Sequence, residues 1–225
     1  MSQSMVNQMP VPKRVVARLD IKNGRTVKGI MMEGVQNVGD PIEMCMRYFE
    51  QGADEIILLD TVASLYQRLE LPDIISELVK DIFIPVCAGG GINSCQDAER
   101  LFFAGADKIC INTSAIENPA LLVELSKEFG AQSIVLQLDA RRLKGKWMIF
   151  GNSGRDMSSM ELPEWLGIVQ DAGIGEVLVT SIEKDGTRRG PDHPLIKVVT
   201  EYINVPIIYG GGISDIKHIQ SVLDS

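Results

Sequence analysis

The chain has 225 residues, 45% of them hydrophobic and 23% charged, the balance of an ordinary globular protein with a sizeable core. A net charge of −8 argues against nucleic acid or an anionic membrane as partner, because both are bound through clustered cations. No apolar run reaches transmembrane length, and two histidines, His193 and His218, exclude a His-rich metal site.

Residues 1–13 (MSQSMVNQMPVPK) have no hydrophobic signal core and read as a flexible leader to one domain spanning 14–225. RVVARLD at 14–20 is the first expected strand, followed by a helix at 41–52 and the strand EIILLD at 55–60. A helix at 71–80 leads to IPVCA at 84–88, and a helix at 94–104 to DKICIN at 107–112. The pattern continues with a helix at 119–129, SIVLQLD at 133–139 and a helix at 161–173. GEVLVTS at 175–181, a helix at 192–202, VPIIY at 205–209 and a helix at 214–223 complete it. Strands alternating with amphipathic helices imply right-handed crossovers and a parallel sheet. Several strands are almost wholly apolar, as strands covered on both faces must be. The four cysteines (Cys45, Cys87, Cys95, Cys110) form no CxxC pair, so reduced thiols in a cytoplasmic protein are expected.

The chain repeats itself. GGGI begins at Gly89 and again at Gly210, an offset of 121 residues, and DEIILLD and GEVLVTS align at the same offset. Two half-barrels of four βα units explain this and assign the fold to the TIM (βα)8 barrels, with the eighth βα unit absent from this sequence. The expectation is therefore a longer polypeptide, with one further βα unit and tail of roughly 25–35 residues.

Asp20 and Asp139 end the first strands of the two halves. The carboxyl ends of the strands form the catalytic rim of such a barrel, where two facing carboxylates can act as general acid and general base. A lone Asp at this place more often caps a turn; the symmetric pair favours catalysis. AGGGIN and YGGGIS follow the third and seventh strands. Glycines there let backbone N–H groups approach phosphate, and two symmetric copies suggest two phosphates at opposite ends of one ligand. Asn112 and Thr113 stand near the first copy, and Asp185, Gly186 and Thr187 near the second. No GxGxxG opens the first βα unit and no Walker sequence is present, which speaks against a dinucleotide site. At the other strand ends, Arg14, Glu55, Lys108 and Glu176 either close the barrel floor as a neutral ring or are solvated charges. Arg14 and Asp20 are an even number of residues apart and share the interior face.

The stretches RLDIKNGRTVKG, GADEIILLDTVAS, AGGGI, GADKICINTSAIENP, FGAQSIVLQLDARR, GEVLVTSIEKDGT and VPIIYGGGI, in order from about residue 13 to the end, resemble the cyclase subunit of imidazole glycerol phosphate synthase. The resemblance implies a (βα)8 barrel in a heterodimer with a glutaminase subunit, which sends ammonia through the barrel core. At the top, ammonia and a bisphosphorylated ribulosyl aminoimidazole intermediate give imidazole glycerol phosphate and aminoimidazole carboxamide ribotide. No cofactor or metal is implied. Carried over residue by residue, Asp20 and Asp139 are the acid–base pair. One phosphate falls at Gly91, Asn112 and Thr113, and the other at Asp185, Gly186 and Gly212. Lys28 lies on a flexible loop after the first strand, and Arg14, Glu55, Lys108 and Glu176 match the ammonia gate.

The chain departs from the family pattern in places. Arg18 stands where a Cys is usual, facing inward beside the site, and Gln36 where an Arg is expected. ASLYQR together with RLDIK is closer to paralogues found with surface-polysaccharide genes, which use ammonia to aminate a nucleotide-sugar acetamido group. A third reading, a non-catalytic barrel that activates the glutaminase, is disfavoured by the retained aspartates.

Overall fold

The protein is described from a computed structural model covering residues 13–63 and 71–225. Most of the leader and most of the ASLYQR stretch lie outside the described residues. Strand β1 (Val16–Lys22) turns at once into an antiparallel excursion, β2 (Arg25–Ile30) and β3 (Glu33–Gly39), before helix α1 (Pro41–Glu50) and strand β4 (Glu55–Asp60). Next come α2 (Leu71–Leu78), β5 (Val86–Gly89), α3 (Cys95–Ala104), β6 (Lys108–Ile111), α4 (Thr113–Glu117) and α5 (Ala120–Phe129). The second half runs through β7 (Ile134–Leu143), β8 (Lys146–Gly151), β9 (Asp156–Glu161), α6 (Leu162–Val169) and β10 (Glu176–Ser181). It ends with α7 (His193–Thr200), β11 (Ile207–Gly210) and α8 (Ile216–Leu223).

Seven strands pair in parallel in the order β11-β10-β7-β6-β5-β4-β1. The two outer strands do not pair among the described residues. The sheet nevertheless curls on itself: Arg14, just before β1, reaches Glu176 on β10 at 2.8 Å. This is the expected α/β barrel architecture, and it has two inner surfaces. Leu19, Ile21, Ile56, Leu58, Leu136 and Val179 face outward into the main core against the helices. The alternate residues Ile57, Leu59, Cys87, Cys110, Val135 and Leu178 form a second apolar cluster inside the curl. That is the period-2 segregation of a sheet buried on both faces. The cysteines are free.

Local chemistry sets where these elements start. In both Gly-Ala-Asp turns the Asp carboxylate caps the neighbouring strand: Asp54 accepts from Val15 N at 2.7 Å and Asp107 from Val86 N at 2.8 Å. Ser94 N-caps α3 by accepting from Asp97 N, while Asp97 reaches back to Asn93 N at 3.0 Å, a reciprocal cap that satisfies two otherwise orphaned donors. Asp40, Asp192 and Asp215 cap α1, α7 and α8 in the same manner.

The simple strand-then-helix alternation is corrected at two places. After β1 and after β7 the chain extends into antiparallel excursions before its helix. Their first turns lie at Asn23-Gly24 and Lys144-Gly145, with φ positive at both residues of each, as primed hairpin turns require. These turns are also 121 residues apart, so the internal repeat includes the hairpins. Lys28, expected on a loop, lies on strand β2. Gln36 is its exposed partner on β3.

Candidate active site and ionic floor

Asp20 and Asp139 occupy equivalent places near the carboxyl ends of β1 and β7, both on the inner face, and the curl brings them to one opening. Each is held from below by the residue two positions earlier on its own strand. Arg18 Nε donates to Asp20 Oδ1 at 2.9 Å. Gln137 Nε2 donates to Asp139 Oδ2 at 2.9 Å. One carboxylate thus rests on a charged donor and the other on a neutral one. Asn112 Nδ2 also donates to Asp139 Oδ2 at 2.9 Å and to the Phe150 carbonyl at 3.1 Å. Its amide is therefore committed to the aspartate, where sequence reasoning placed it as a phosphate donor.

Asp139 is completely buried, and its Oδ1 has no hydrogen-bond partner among the described residues. Burial pushes its carboxyl up from 3.8 to about 6, against the opposing pull of the Arg18 cation, the Gln137 donor and the neighbouring Thr180 hydroxyl, with Asp20 adding to the rise. Such a group can carry a proton close to neutral pH. Arg18 is itself largely enclosed. Burial disfavours its charge, but the carboxylates of Asp20, Asp139 and Asp185 outweigh that and hold it firmly cationic.

A pocket of about 30 Å³ opens here, lined by Arg18, Gly90, Gly91, Asn112, Thr113 and Gln137 among others. Gly90 and Gly91 have φ of 103° and 74°, and a Cβ on Gly90 would meet the Asp60 carbonyl at 2.3 Å. Only glycine fits that bend. Thr113 Oγ1 accepts from Asn152 N at 2.9 Å, which ties the β8 hairpin over the pocket.

The second glycine turn lies across the opening. Lys28 Nζ contacts Asp185 Oδ1 at 2.7 Å and Asp20 Oδ2 at 3.6 Å, so the first hairpin leans over this side of the site. Gly186 and Gly212 have positive φ, and a Cβ on either would lie 2.1 Å from a carbonyl, that of Gly29 and Gly190 respectively. Their first structural duty is close packing of loops, which brings the Asp185 turn against β2.

Ionic contacts at the amino ends of the strands are closed rather than solvated. Lys108 Nζ lies 2.9 Å from Glu55 Oε2 and 3.1 Å from Glu176 Oε1. Arg14 binds the same two carboxylates at 2.6 and 2.8 Å. Glu55 is fully buried, and burial raises its pKa against the opposing Lys108. Of the two readings of these charges, the neutral ring is the one the geometry supports. Between this ring and the aspartates lies the inner apolar cluster.

The family model for "Histidine biosynthesis protein" matches residues 14–225. The imidazole glycerol phosphate synthase subunit HisF of Legionella pneumophila is 43% identical over 205 residues, 91% of this chain and 97% of that protein. The chain belongs to the imidazole glycerol phosphate synthase cyclase-subunit family, enzymes of histidine biosynthesis. HisF subunits of Sulfurisphaera tokodaii and Pyrococcus furiosus are 41% and 40% identical, covering 94% and 93% of this chain and 85% and 84% of theirs.

Against that family, the sequence-predicted residues fall into two groups, the rim (Asp20, Asp139, Lys28, Gly91, Asn112, Thr113, Asp185, Gly186, Gly212) and the floor (Arg14, Glu55, Lys108, Glu176). Sequence reasoning missed Gln137 and Thr180. The signal for Gln137 was available: like Arg18, it precedes an inner-face aspartate by two residues. Among the described residues no three His, Cys, Asp or Glu side chains are grouped to hold a metal ion, and no helix is long and apolar enough to cross a membrane.

Proposed function

We propose that this chain is the cyclase half of a glutaminase-linked synthase, taking ammonia at its floor and using it at its rim. The observation that carries this reading is the alignment of two charged layers on one inner surface. The Arg14–Glu55–Lys108–Glu176 ring stands at the amino ends of the strands, and Asp20 and Asp139 stand at the carboxyl ends of the same sheet. An apolar interior joins them, a path suited to neutral ammonia rather than ammonium.

On this reading ammonia meets a bisphosphorylated ribulosyl aminoimidazole intermediate, with Asp20 and Asp139 as the acid–base pair. The turn at Gly91, Asn112 and Thr113 takes one phosphate through backbone amides, and the turn at Asp185, Gly186 and Gly212 takes the other. Lys28 adds a cation on that second side. The products are imidazole glycerol phosphate and aminoimidazole carboxamide ribotide. The glutaminase docks against the floor as a heterodimer partner, in the cytoplasm, where the four free thiols stay reduced.

One observation favours a second reading, amination of a nucleotide-sugar acetamido group: Arg18 fills space at the centre of the rim where the family usually has the smaller Cys. The test supplies ammonium salt and each acceptor in turn. Formation of imidazole glycerol phosphate, reduced at least ~10²-fold in Asp20→Asn and Asp139→Asn, supports the first reading. Turnover of the nucleotide sugar alone would replace it with the second.

A further inference from the structure

We propose that Arg18 is a catalytic residue of this site, donating from its outer guanidinium nitrogens to the oxygen of the carbonyl that ammonia attacks. The inference rests on the ammonia-addition reading above, but it does not depend on which of the two acceptors is used, since both present a carbonyl.

The geometry begins with an imbalance of partners. A guanidinium has five N–H donors in a rigid fork. In Arg18 the Nε donor is fixed on Asp20 Oδ1 at 2.9 Å and Nη1 on Thr180 Oγ1 at 2.8 Å. These anchors come from β1 itself and from β10 beyond the unpaired edges, so the fork spans the rim. Among the described residues the Nη2 amine has no partner. The Arg18 side chain is only 17% exposed. An enclosed cation with idle donors is costly unless an acceptor arrives.

The complementary vacancy is on Asp139. Its Oδ2 is used twice, by Gln137 and Asn112, while Oδ1 is buried and unpartnered. Arg18 and Asp139 are near enough to interact electrostatically, yet no hydrogen bond joins them. Arg18 and Gln137 both line the pocket. A carbonyl oxygen entering the pocket beside Arg18 accepts from its idle donors, and a small rotation of the buried Asp139 carboxyl brings its idle oxygen within reach of the same atom. A carbonyl oxygen being converted to a hydroxyl uses both.

The step balances. The ammonia lone pair forms the new C–N bond, and the carbonyl π pair moves onto oxygen. Arg18 stabilises that oxyanion, protonated Asp139 gives it a proton, and ionised Asp20 takes a proton from the nitrogen. The product is a neutral carbinolamine, and no oxidant or reductant is needed. Fixed donors aimed at developing charge are the arrangement that lowers such barriers most. Asp20 Oδ1 already accepts from Arg18 Nε, so the oxyanion is left to the outer nitrogens of the same fork.

The test uses the full-length protein with ammonium salt and both acceptors, the ribulosyl aminoimidazole intermediate and a nucleotide-linked acetamido sugar. On the acceptor that the wild type converts, Arg18→Met is expected to lower kcat by ~10²-fold or more, with KM for the acceptor within about threefold. Arg18→Lys keeps the charge without the fork and should retain an intermediate kcat. Added guanidinium ion should restore part of the activity of Arg18→Ala, whereas an equal concentration of methylammonium should not. A purely structural Arg18 would show no such rescue. Thermal melts establish that each variant is folded; if the Met variant is not, the Lys variant and the rescue decide. A folded Arg18→Met with kcat within threefold of wild type, or loss confined to KM without rescue, would overturn the proposal. A wild type inactive on both acceptors would overturn the ammonia-addition reading and this one with it.

Discussion

Replacing Asp139 with Asn should make the protein more stable and less active, and the stability gain should grow with pH. The wild-type carboxyl is raised from 3.8 to about 6, chiefly by burial. A carboxyl raised in the folded state favours folding when protonated. Its contribution is whole below the unfolded value, near pH 4, and is lost as pH rises through about 6. The interval is roughly two pH units, or about 3 kcal/mol at ~1.36 kcal/mol per unit. Asparagine has no charge to bury, so it escapes that loss.

The variant also has a constant term. Its side-chain oxygen can accept from Gln137 and Asn112 as Oδ2 does now. Its NH2 then takes the corner where Oδ1 has no partner, which costs about 1 kcal/mol at every pH. Urea unfolding at pH 4, 6 and 8, followed by the fluorescence of Trp147 and Trp165, measures the difference. The slope is the diagnostic: near zero or slightly negative at pH 4, and about 2 kcal/mol in favour of Asn at pH 8 after the constant cost. A difference that stays flat with pH, or runs the other way, would refute the claim that Asp139 is buried at the expense of its charge.

Lys108→Ala should destabilise by about 3 kcal/mol, since it leaves Glu55 and Glu176 facing Arg14 alone in a buried ring; equilibrium unfolding checks this, and glutamine-driven turnover should fall more than ammonium-driven turnover. Gly186→Ala should cost about 2 kcal/mol through strain at positive φ and the clash with Gly29 O, and it should raise the KM for a phosphorylated substrate by moving the Asp185 turn; melting temperature and steady-state kinetics read the two effects. Asp20→Asn should leave folding intact and lower ammonium-driven turnover by ~10²-fold or more.

The parallel sheet was legible because its strands are apolar on both faces. EIILLD is buried at every position, and such runs between amphipathic helices have few other interpretations. The excursions were not legible by hydrophobicity. Most of β3 and much of β9 are exposed, so no buried face imposes an apolar alternation on them. Their turn chemistry was readable, since Asn23-Gly24 is a strong hairpin signal and Lys144-Gly145 repeats it at the offset of GGGI. Lys28 was assigned to a loop for this reason. The floor ring was legible only as a position on four strands. Whether those charges were solvated or closed depended on the curl that brings Arg14 to Glu176, which is a property of the whole sheet.

The two halves share a scaffold and differ in what the scaffold holds. Both place an aspartate on the inner face of the first strand, a supporting donor two residues below it and a hairpin above it. The donor is Arg18 in one half and Gln137 in the other. At Asp139 the neutral Gln137 donor and the more distant Arg18 cation do not outweigh burial, which raises its carboxyl. The same strand geometry therefore gives a partly exposed carboxylate paired with a cation and a completely buried one on neutral donors, and burial is the larger part of what raises Asp139. Acid–base chemistry across a symmetric opening needs that asymmetry, because two identical carboxylates would compete for one state. An Arg18→Gln, Gln137→Arg double variant moves the cation from beneath Asp20 to beneath Asp139. The pH at which Asp139 titrates, followed by the carboxyl carbon resonance, should then fall below its present value of about 6. An unchanged titration in a folded double variant would show that burial alone, and not the supporting donor, distinguishes the two aspartates.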